Sequence, residues 1–383
     1  MNPIFRKSLA VLLSLILAVS VFAGCGDTVK PNTDGASVGI TDTVSGLAAI
    51  FPVNETVEMH TEKQAKFLNG KYRSAYLYAN GTKEKSRPEP IEFKWAYGKA
   101  QDGVTQYTLS ISEFPDMQNA MSCTTDKQSI LVYNLKIATV YYWTVSADGE
   151  TSDVVQFSTA ADAPRNLYVD GVTNVRDLGG WMTENGTRTK QGMIFRCGRL
   201  NESNTDEVNI EITESGKKVM LDLFGVKTEI DIRKTDNGET GGITESPLGN
   251  TVTYYSIPME WEGDTFNGNR EELLRVFSIL ADEENYPVIF HCNIGTDRTG
   301  MIAYLLNALL GVSETDLCKD YLFSNFGKIG SLRRPSGLED SVYHQAVAAA
   351  EGSTLQEKAY NCLAEFGVPR EQLDSIIRIL SAS

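Results

Sequence analysis

The sequence predicts two folded units: an all-β unit, followed by an α/β unit whose sheet is flanked by helices. Three observations support this class. The chain has 383 residues, which is more than one ordinary domain usually holds. Residues 60–161 contain short β-prone stretches separated by turn residues, and no good helix is expected among them. From residue 166 onward, short apolar strands alternate with helical stretches, which is typical of an α/β fold.

The first 24 residues have the pattern of an export signal. Arg6 and Lys7 precede an apolar stretch, residues 9–21, that is too short to span a bilayer comfortably. The next residues, Phe22-Ala23-Gly24-Cys25, resemble a bacterial lipoprotein signal, in which Cys25 is lipidated and becomes the mature N-terminus. We therefore expect an exported protein that is lipid-anchored to the outer face of a bacterial membrane. An ordinary secretory peptide is the alternative.

Residues 25–58 are expected to form a flexible tether, because their first part is rich in Gly, Thr, Asp and Asn. Residues 59–162 are expected to form a β-sandwich. Its candidate strands are Tyr72–Tyr78, Ile91–Tyr97, Gln106–Ile111, Ser129–Leu135, Val140–Ala147 and Val154–Ser158. The stretch Leu135–Ala147, followed by Phe157-Ser158-Thr159, resembles the last strands of a fibronectin type III-like sandwich, with Trp143 in its core. We expect this unit to act as a spacer or a binding module.

Composition narrows the classes of partner. The net charge of −15 argues against nucleic acid. Besides Cys25, the chain has five cysteines, which are Cys123, Cys197, Cys292, Cys318 and Cys362. An odd number leaves at least one free thiol in an exported protein, and their scattered spacing indicates neither a zinc site nor a dense disulfide framework.

Residues 163–383 are expected to form the α/β unit, after a linker at residues 161–164. Two predicted strands are Val226–Ile232 and Val252–Ile257. The predicted helices are Arg270–Leu280, Thr299–Leu310, Ser313–Phe323, Leu338–Glu351, Thr354–Phe366 and Arg370–Ser381.

The segment after the apolar strand Val288–Phe290 carries the most chemical information in the chain. Cys292 is followed by five residues and then Arg298, and the helix Thr299–Leu310 comes directly after. Gly295 permits a tight turn between strand and helix. The backbone N–H groups of such a loop converge, and the helix N-terminus adds partial positive charge, so a tetrahedral oxyanion fits there. Arg298 can hold two of its oxygens, and the same field lowers the pKa of Cys292, which can then act as a nucleophile.

The string His291-Cys292-Asn293-Ile294-Gly295-Thr296-Asp297-Arg298-Thr299-Gly300 resembles the phosphate-binding loop of the cysteine-dependent protein tyrosine phosphatase superfamily. The resemblance implies the sheet of that superfamily, flanked by helices, and an enzyme that forms a phosphocysteine intermediate on Cys292. It also implies phosphate binding by Asn293, Ile294, Gly295, Thr296, Asp297, Arg298 and Thr299. Because the loop itself supplies the positive charge, we expect neither a metal nor another cofactor. The alternative is a buried cysteine with an arginine that caps a loop.

Further motifs resemble the atypical bacterial tyrosine phosphatases, which have been linked to phosphotyrosine and also to phosphoinositides. They are Asn174–Gly180, Asp231-Ile232-Arg233, Glu239 and Asp320–Asn325. Arg176 beside Asp177 predicts an ion pair. These two residues, with Asp231 and Arg233, either support the site or cap strand ends.

Two positions within the loop refine this prediction. His291 is expected to orient the loop by hydrogen bonding. Many members of the resembling family have a lysine where this chain has Thr296. Its absence weakens the case for phosphoinositides or inositol polyphosphates and leaves the monoester case intact.

The leaving oxygen needs a proton, which an aspartate usually supplies. Asp297 is the first candidate for this general acid, because the resembling family suggests it. Asp264 is the second, since conventional tyrosine phosphatases keep a lid aspartate in such a segment after a strand. Glu260 and Glu262 are further candidates. Asp297 also has a structural alternative, which is to pair with a basic residue and make the loop rigid.

We therefore expect a phosphate monoester hydrolase, with phosphotyrosine proteins as the leading substrate, phosphoinositides second and inositol phosphates third. Two other classes remain open. A non-catalytic phosphate-binding or adhesion lipoprotein would rely on the sandwich, and a rhodanese-type sulfurtransferase would also use a cysteine loop. The expected partners are a phosphorylated substrate and, through Cys25, a membrane.

Overall fold

The computed structural model describes residues 46–70, 77–98, 106–202, 211–236 and 238–382. The predicted export signal, the lipidation site Cys25 and most of the strand predicted at Tyr72–Tyr78 lie outside these residues. Within these ranges, no helix has both the length and the apolar character that crossing a membrane requires.

The N-terminal unit contains two β-sheets. Strands β1 (Leu47–Phe51), β3 (Ile91–Tyr97) and β6 (Ser129–Val132) form an antiparallel sheet in the order β1-β3-β6. Strands β2 (Thr56–Val57), β4 (Tyr107–Ser112), β5 (Met121–Thr125), β7 (Val140–Ala147) and β9 (Val155–Thr159) form the second sheet in the order β2-β9-β7-β4-β5. The short strand β8 (Glu150–Thr151) pairs with β7.

The two sheets share one hydrophobic core. Ile91, Phe93 and Trp95 alternate along β3 and are all buried, because successive side chains of a strand point to opposite faces. Trp143 of β7 is fully buried and meets Phe93 edge to face, with 5.2 Å between ring centroids. Its indole N–H donates to the carbonyl of Pro52 at 2.7 Å. The predicted core position of Trp143 is confirmed.

Two elements of this unit contradict the sequence predictions. The tether predicted at residues 25–58 is wrong beyond residue 46, because β1 pairs with β3 there, with Leu47 opposite Tyr97. Pairing between strands so far apart in the chain leaves no signal in the local composition. The expectation of no helix is also wrong. Helix α1 (Glu62–Leu68) begins at a capping box formed by Thr61 and Gln64.

Helix α1 packs on the C-terminal unit. Phe67 is fully buried against Phe323 and Phe326, with ring centroids 6.5 and 5.8 Å apart. Leu68 belongs to the same hydrophobic core. The division expected at residue 163 therefore separates the sheets and the sandwich core, but α1 belongs to the core of the C-terminal unit.

The C-terminal unit is built on a five-stranded sheet. Strands β10 (Arg176–Asp177), β11 (Ile194–Cys197), β12 (Thr228–Asp231), β13 (Thr253–Ser256) and β14 (Val288–His291) lie in the order β10-β11-β14-β12-β13. The last four strands in this order are parallel, and β10 runs antiparallel to β11. Strand β14 is therefore central, and the loop that follows it emerges at the carboxyl edge of the sheet, where ligands of open α/β sheets bind.

Helices cover both faces of this sheet. They are α2 (Glu214–Lys218), α3 (Arg270–Leu280), α4 (Arg298–Leu309), α5 (Glu314–Phe323), α6 (Pro335–Glu339), α7 (Val342–Ala349), α8 (Leu355–Phe366) and α9 (Arg370–Leu380). Ile289 and Phe290 are neighbours in β14, but they belong to the two different cores on opposite faces. The predicted strands and helices are confirmed to within two residues, except that the helix predicted at Leu338–Glu351 is two helices, α6 and α7.

Candidate active site

The loop between β14 and α4 turns sharply at Gly295. This residue has a φ of +68°, and a Cβ there would overlap the carbonyl group of Cys197 on the neighbouring strand. Only glycine fits both the backbone conformation and the space. The loop is thus packed tightly against the end of β11.

Every carbonyl group from Cys292 to Gly295 accepts a hydrogen bond from outside the loop. The donors are His291 Nδ1 to Cys292 (3.3 Å), the Arg199 N–H to Asn293 (3.0 Å), and Asn174 Nδ2 to Ile294 (3.2 Å) and Gly295 (3.0 Å). Arg196 Nη2 also donates to Gly295, at 2.8 Å. Because the carbonyls are held on the outer side, the N–H groups converge on the inner side. Among the described residues, no backbone N–H from Asn293 to Asp297 has a protein acceptor, so these groups can bind an anion.

Cys292 lies at the base of this cradle and is only 2% exposed. Burial alone would raise the pKa of its thiol. The charge of Arg298 and hydrogen bonds from the side chain and backbone of Thr299 outweigh burial, so the pKa of Cys292 lies below its ordinary value. The Thr299 hydroxyl is buried without a partner of standard hydrogen-bond geometry in the described part of the chain, so the sulfur is the group it can serve.

Arg298 is the first residue of α4, and its guanidinium is anchored on one side only. Its Nη1 donates to Glu239 Oε2 at 2.8 Å and to the carbonyls of Met259 and Ile232 at 3.0 and 3.3 Å. Within the described residues, Nε and Nη2 have no protein acceptor and are not fully buried. They can therefore bind two oxygens of one phosphoryl group. Glu239, which the sequence placed only in an accessory motif, fixes this orientation.

The supporting residues fall into two groups. Arg176 donates to Asp320 Oδ1 at 3.0 Å and to Asn174 Oδ1, so it acts on the loop through Asn174. Asp177 instead pairs with Arg165 at 2.7 Å and accepts the N–H of Gly179 at 2.8 Å. The predicted ion pair between Arg176 and Asp177 is therefore wrong. Neighbouring strand residues point to opposite faces, so each side chain finds a distant partner.

His291 and Asp231 form a buried network beneath the nucleophile. His291 Nε2 lies 2.9 Å from Glu229 Oε1, and its Nδ1 lies 3.9 Å from Asp231. Burial opposes the charged imidazolium, but Asp231 and Glu229 outweigh it and raise the pKa of His291. Burial would raise the pKa of Asp231, but His291 and the hydrogen-bonded Arg233 outweigh it and lower that pKa. Tyr254 also donates to Asp231 at 2.9 Å. The position of His291 fits the predicted orienting role.

Carboxylate and imidazole atoms of Glu229, Asp231 and His291 lie within 4.8 Å of one another, which is close enough for a metal ion. However, Arg233 holds both oxygens of Asp231, and Glu229 accepts from Ser246 and contacts His291. The atoms that could bind a metal ion are already engaged in hydrogen bonds and ion pairs with other protein groups. The cluster therefore fits a hydrogen-bond network better than a metal centre.

The general-acid candidates occupy different environments. Asp297 precedes α4, its side chain is half exposed, and it forms a bidentate ion pair with Arg333 at 2.9 and 2.8 Å. Asp264 accepts from the side chain and backbone of Asn267 and from the Phe266 N–H, and these bonds lower its pKa. A lowered pKa disfavours the protonated form that a general acid needs.

The remaining candidates add little to the choice of acid. Glu260 pairs with Lys234 at 2.7 and 2.8 Å, and Glu262 is exposed. The structure adds to the site one residue that the sequence prediction did not single out, Arg333, which pairs with Asp297. It comes from the segment after α5, and only the fold brings it to the loop.

The fold and the site define a class of protein that holds a cysteine of lowered pKa at the base of an anion-binding loop between a parallel strand and a helix. The family model described as the tyrosine phosphatase family matches residues 167–371, which is more than half of the chain, and the chain belongs to this family.

Individual relatives match shorter parts. A Cupriavidus necator protein named as a tyrosine-protein phosphatase is 27% identical in an alignment of 186 residues that covers 42% of this chain and 63% of that protein. The triple specificity protein phosphatase PtpB of Mycobacterium tuberculosis is 35% identical over 89 residues, which are 23% of this chain and 31% of that protein. The chain thus spans less than two thirds of the length of these relatives.

Solved structures that match parts of the chain include TpbA of P. aeruginosa, with 20% identity and a TM-score of 0.28 over 44% of this chain and 88% of that chain. The core catalytic domain of a PP-IP phosphatase of S. cerevisiae has 14% identity and a TM-score of 0.27 over 47% of this chain and 93% of that chain.

Proposed function

We propose that this protein is a cysteine-dependent phosphatase that hydrolyses phosphate monoesters, with phosphotyrosine in proteins as the leading substrate. The observation that carries the proposal is the lowered pKa of Cys292 inside a loop whose N–H groups have no protein acceptor among the described residues. A thiolate at the centre of an anion cradle is the arrangement that attack on phosphorus requires.

The proposed reaction has two steps. The thiolate of Cys292 attacks phosphorus, so the P–S bond forms while the P–O bond to the leaving group breaks. An aspartic acid gives its proton to the leaving oxygen. A water molecule then attacks the phosphorus of the phosphocysteine, and its proton passes to the same aspartate. The P–S bond breaks, which restores the Cys292 thiolate and releases inorganic phosphate. In both steps, Nε and Nη2 of Arg298 and the loop amides stabilise the equatorial oxygens.

Asp297 remains our proposal for the general acid, because it lies in the loop itself. Both candidates are engaged by neighbours: Asp264 bonds within its own turn, and Asp297 pairs with Arg333, which is also what the structural alternative for Asp297 requires. The test is to compare Asp297→Asn with Asp264→Asn on aryl phosphates of graded leaving-group pKa. The proposal requires Asp297→Asn to slow poor leaving groups far more than good ones. Equal rates for wild type and Asp297→Asn on poor leaving groups would exclude Asp297.

Two observations bear on the substrate class. The relative PtpB is named as a triple specificity protein phosphatase, and that name leaves substrates besides phosphotyrosine open. In this chain, Thr296 is fully buried and contacts Asn174 Nδ2 at 3.4 Å, so its position adds no charge for a second phosphate. This supports singly phosphorylated substrates, such as phosphotyrosine, over phosphoinositides or inositol polyphosphates. A panel of phosphotyrosine and phosphoserine peptides, phosphoinositides and phytate decides between them.

The decisive experiment for catalysis is hydrolysis of p-nitrophenyl phosphate by wild type and by Cys292→Ser. We expect turnover that is lost with Cys292. A wild-type protein that binds phosphate without turnover would instead support the non-catalytic alternative, and thiosulfate turnover would support a sulfurtransferase.

We also propose that the chain is exported and lipidated at Cys25, and that the N-terminal unit is fibronectin type III-like. The motif at residues 22–25 supports the first proposal, and the two packed sheets with Trp143 support the second. Incorporation of labelled palmitate by wild type, and its absence in Cys25→Ala, tests the lipid anchor. An experimental structure of the N-terminal unit tests the strand topology.

A further inference from the structure

Residues 79–89, here called the bridging segment, leave the N-terminal unit and lie beside the residues that hold the phosphate loop. We propose that Glu84 and Ser86 of this segment are positioning residues for the phosphate loop, so that the N-terminal unit completes the active site. This inference rests on the proposed phosphatase function and goes beyond the spacer or binding role expected of the N-terminal unit.

Backbone hydrogen bonds fix the bridging segment to the chain that follows α5. The Gly81 N–H donates to Asn325 at 2.8 Å, the Ile329 N–H donates back to Gly81 at 2.8 Å, and the Lys85 N–H donates to Phe326 at 2.6 Å. Gly81 has a φ of +78°, and a Cβ there would lie 2.5 Å from the carbonyl oxygen of Ser331. The segment is therefore held in one register.

Glu84 uses both carboxylate oxygens as acceptors at this junction. Oε2 accepts the hydroxyl of Thr173 and, at 3.3 Å, the N–H of Lys328. Oε1 accepts the N–H and the hydroxyl of Ser86 at 2.9 and 2.5 Å. One side chain thus ties the bridging segment to the residue before Asn174 and to the segment after α5.

Ser86 carries the contact onward to Asn174. Ser86 is 2% exposed, and its Oγ accepts the Asn174 N–H at 3.2 Å. Its carbonyl also accepts Asn166 Nδ2 at 2.7 Å. Asn174 has a φ of +59°, a left-handed conformation that costs free energy for any residue other than glycine and needs surrounding contacts to persist. Ser86 supplies one of those contacts.

Asn174 is the residue that holds the loop carbonyls outward. Its Nδ2 donates to the carbonyls of Ile294 and Gly295, and Arg176 Nη1 donates to its Oδ1. If Asn174 loosens, the Ile294 carbonyl loses its donor from outside the loop and the Gly295 carbonyl keeps only Arg196, so the N–H groups of these two peptides lose alignment with the phosphoryl oxygens. A displacement of about 1 Å at a catalytic group can cost about 10²-fold in rate. Loss of the Glu84 or Ser86 side chain should therefore weaken catalysis, although neither residue contacts the substrate.

The test compares full-length Glu84→Gln and Ser86→Ala with a matched control, Thr82→Ala. Gln offers one acceptor oxygen where Glu offers two, and Ala removes the Ser86 hydroxyl. Thr82 lies in the same segment but is exposed, and its side chain bonds only Asn80 in the described structure. We measure kcat/KM for p-nitrophenyl phosphate, the inhibition constant of inorganic phosphate, the pH dependence of Cys292 alkylation by iodoacetate, and Tm.

We expect kcat/KM to fall at least about tenfold in both variants, by the positional sensitivity given above, with weaker phosphate inhibition and alkylation that requires higher pH. Thr82→Ala should match wild type. The inference is overturned if a variant lowers Tm alone. In that case kcat/KM, phosphate inhibition and the alkylation profile would all stay within twofold of wild type. If one variant does not fold, the other decides. Absence of turnover in wild type overturns the proposed function instead, and the alkylation profiles then test the positioning by themselves.

Discussion

Replacement of Arg298 by lysine removes the fork that grips the phosphoryl group. In the structure, Nη1 is held by Glu239 and by the carbonyls of Met259 and Ile232, so Nε and Nη2 remain for two phosphoryl oxygens. Lysine can present only one point charge to the phosphoryl group. It therefore loses at least one charge-assisted hydrogen bond, which is worth about 1.5–3 kcal/mol.

This loss corresponds to about tenfold to about 150-fold in kcat/KM, at 1.36 kcal/mol per tenfold. The ammonium also cannot keep the contact with Glu239 and the phosphoryl contact at once. We therefore expect kcat/KM to fall by about 10²–10³-fold in total, which is the range seen when one oxyanion donor is removed. The assay is the steady-state hydrolysis of p-nitrophenyl phosphate.

The matched control is Arg334→Lys, because Arg334 is exposed and its side chain makes no bond within the described residues. The control should retain wild-type kinetics. A kcat/KM of Arg298→Lys within threefold of wild type would refute the reasoning, since it would mean that the fork does not grip the transition state.

Three further predictions concern reactivity and stability. The pKa of Cys292 is lowered, while burial raises the pKa of Cys197 well above its usual range. Iodoacetate should therefore label Cys292 but not Cys197 near neutral pH, and the rate at Cys292 should fall only as pH drops through its lowered pKa. Mass spectrometry that finds Cys197 labelled in the folded protein would contradict this. Trp143→Ala should destabilise the protein by about 3–5 kcal/mol in urea unfolding, and a loss below about 1 kcal/mol would show that the sandwich core collapses around the gap. Asp177→Asn should lower the free energy of unfolding by about 3–5 kcal/mol, because it weakens the buried ion pair with Arg165. At a temperature where the variant is folded, its kcat/KM should stay within twofold of wild type. A larger kinetic defect would place Asp177 in the active site.

The loop was predictable from the sequence because its chemistry is contiguous. Cys292, Gly295 and Arg298 lie within seven residues, and strand β14 and helix α4 flank them. Spacing alone therefore predicted an anion cradle. Helices α5 and α8 were predictable for a similar reason, since the local caps Ser313 and Thr354 mark where they begin.

The residues that hold the loop in place were not predictable in the same way. Glu229, Glu239 and Arg333 come from separate segments, and only the tertiary fold brings them to His291, Arg298 and Asp297. One usable signal existed, because the predicted strand carries two carboxylates, Glu229 and Asp231, and a buried carboxylate needs a partner. The pairing of β1 with β3 had no comparable local signal.

Helix α4 is buried along its whole length, from Arg298 to Leu309. A helix with no solvent-facing side cannot fray on its own, so its amides should exchange with deuterium only when the whole C-terminal unit opens. Because the phosphate loop ends on this helix, the cradle and the global fold share one free energy of opening. Destabilising substitutions far from the loop should therefore speed exchange by the same factor at the hydrogen-bonded amides along the helix.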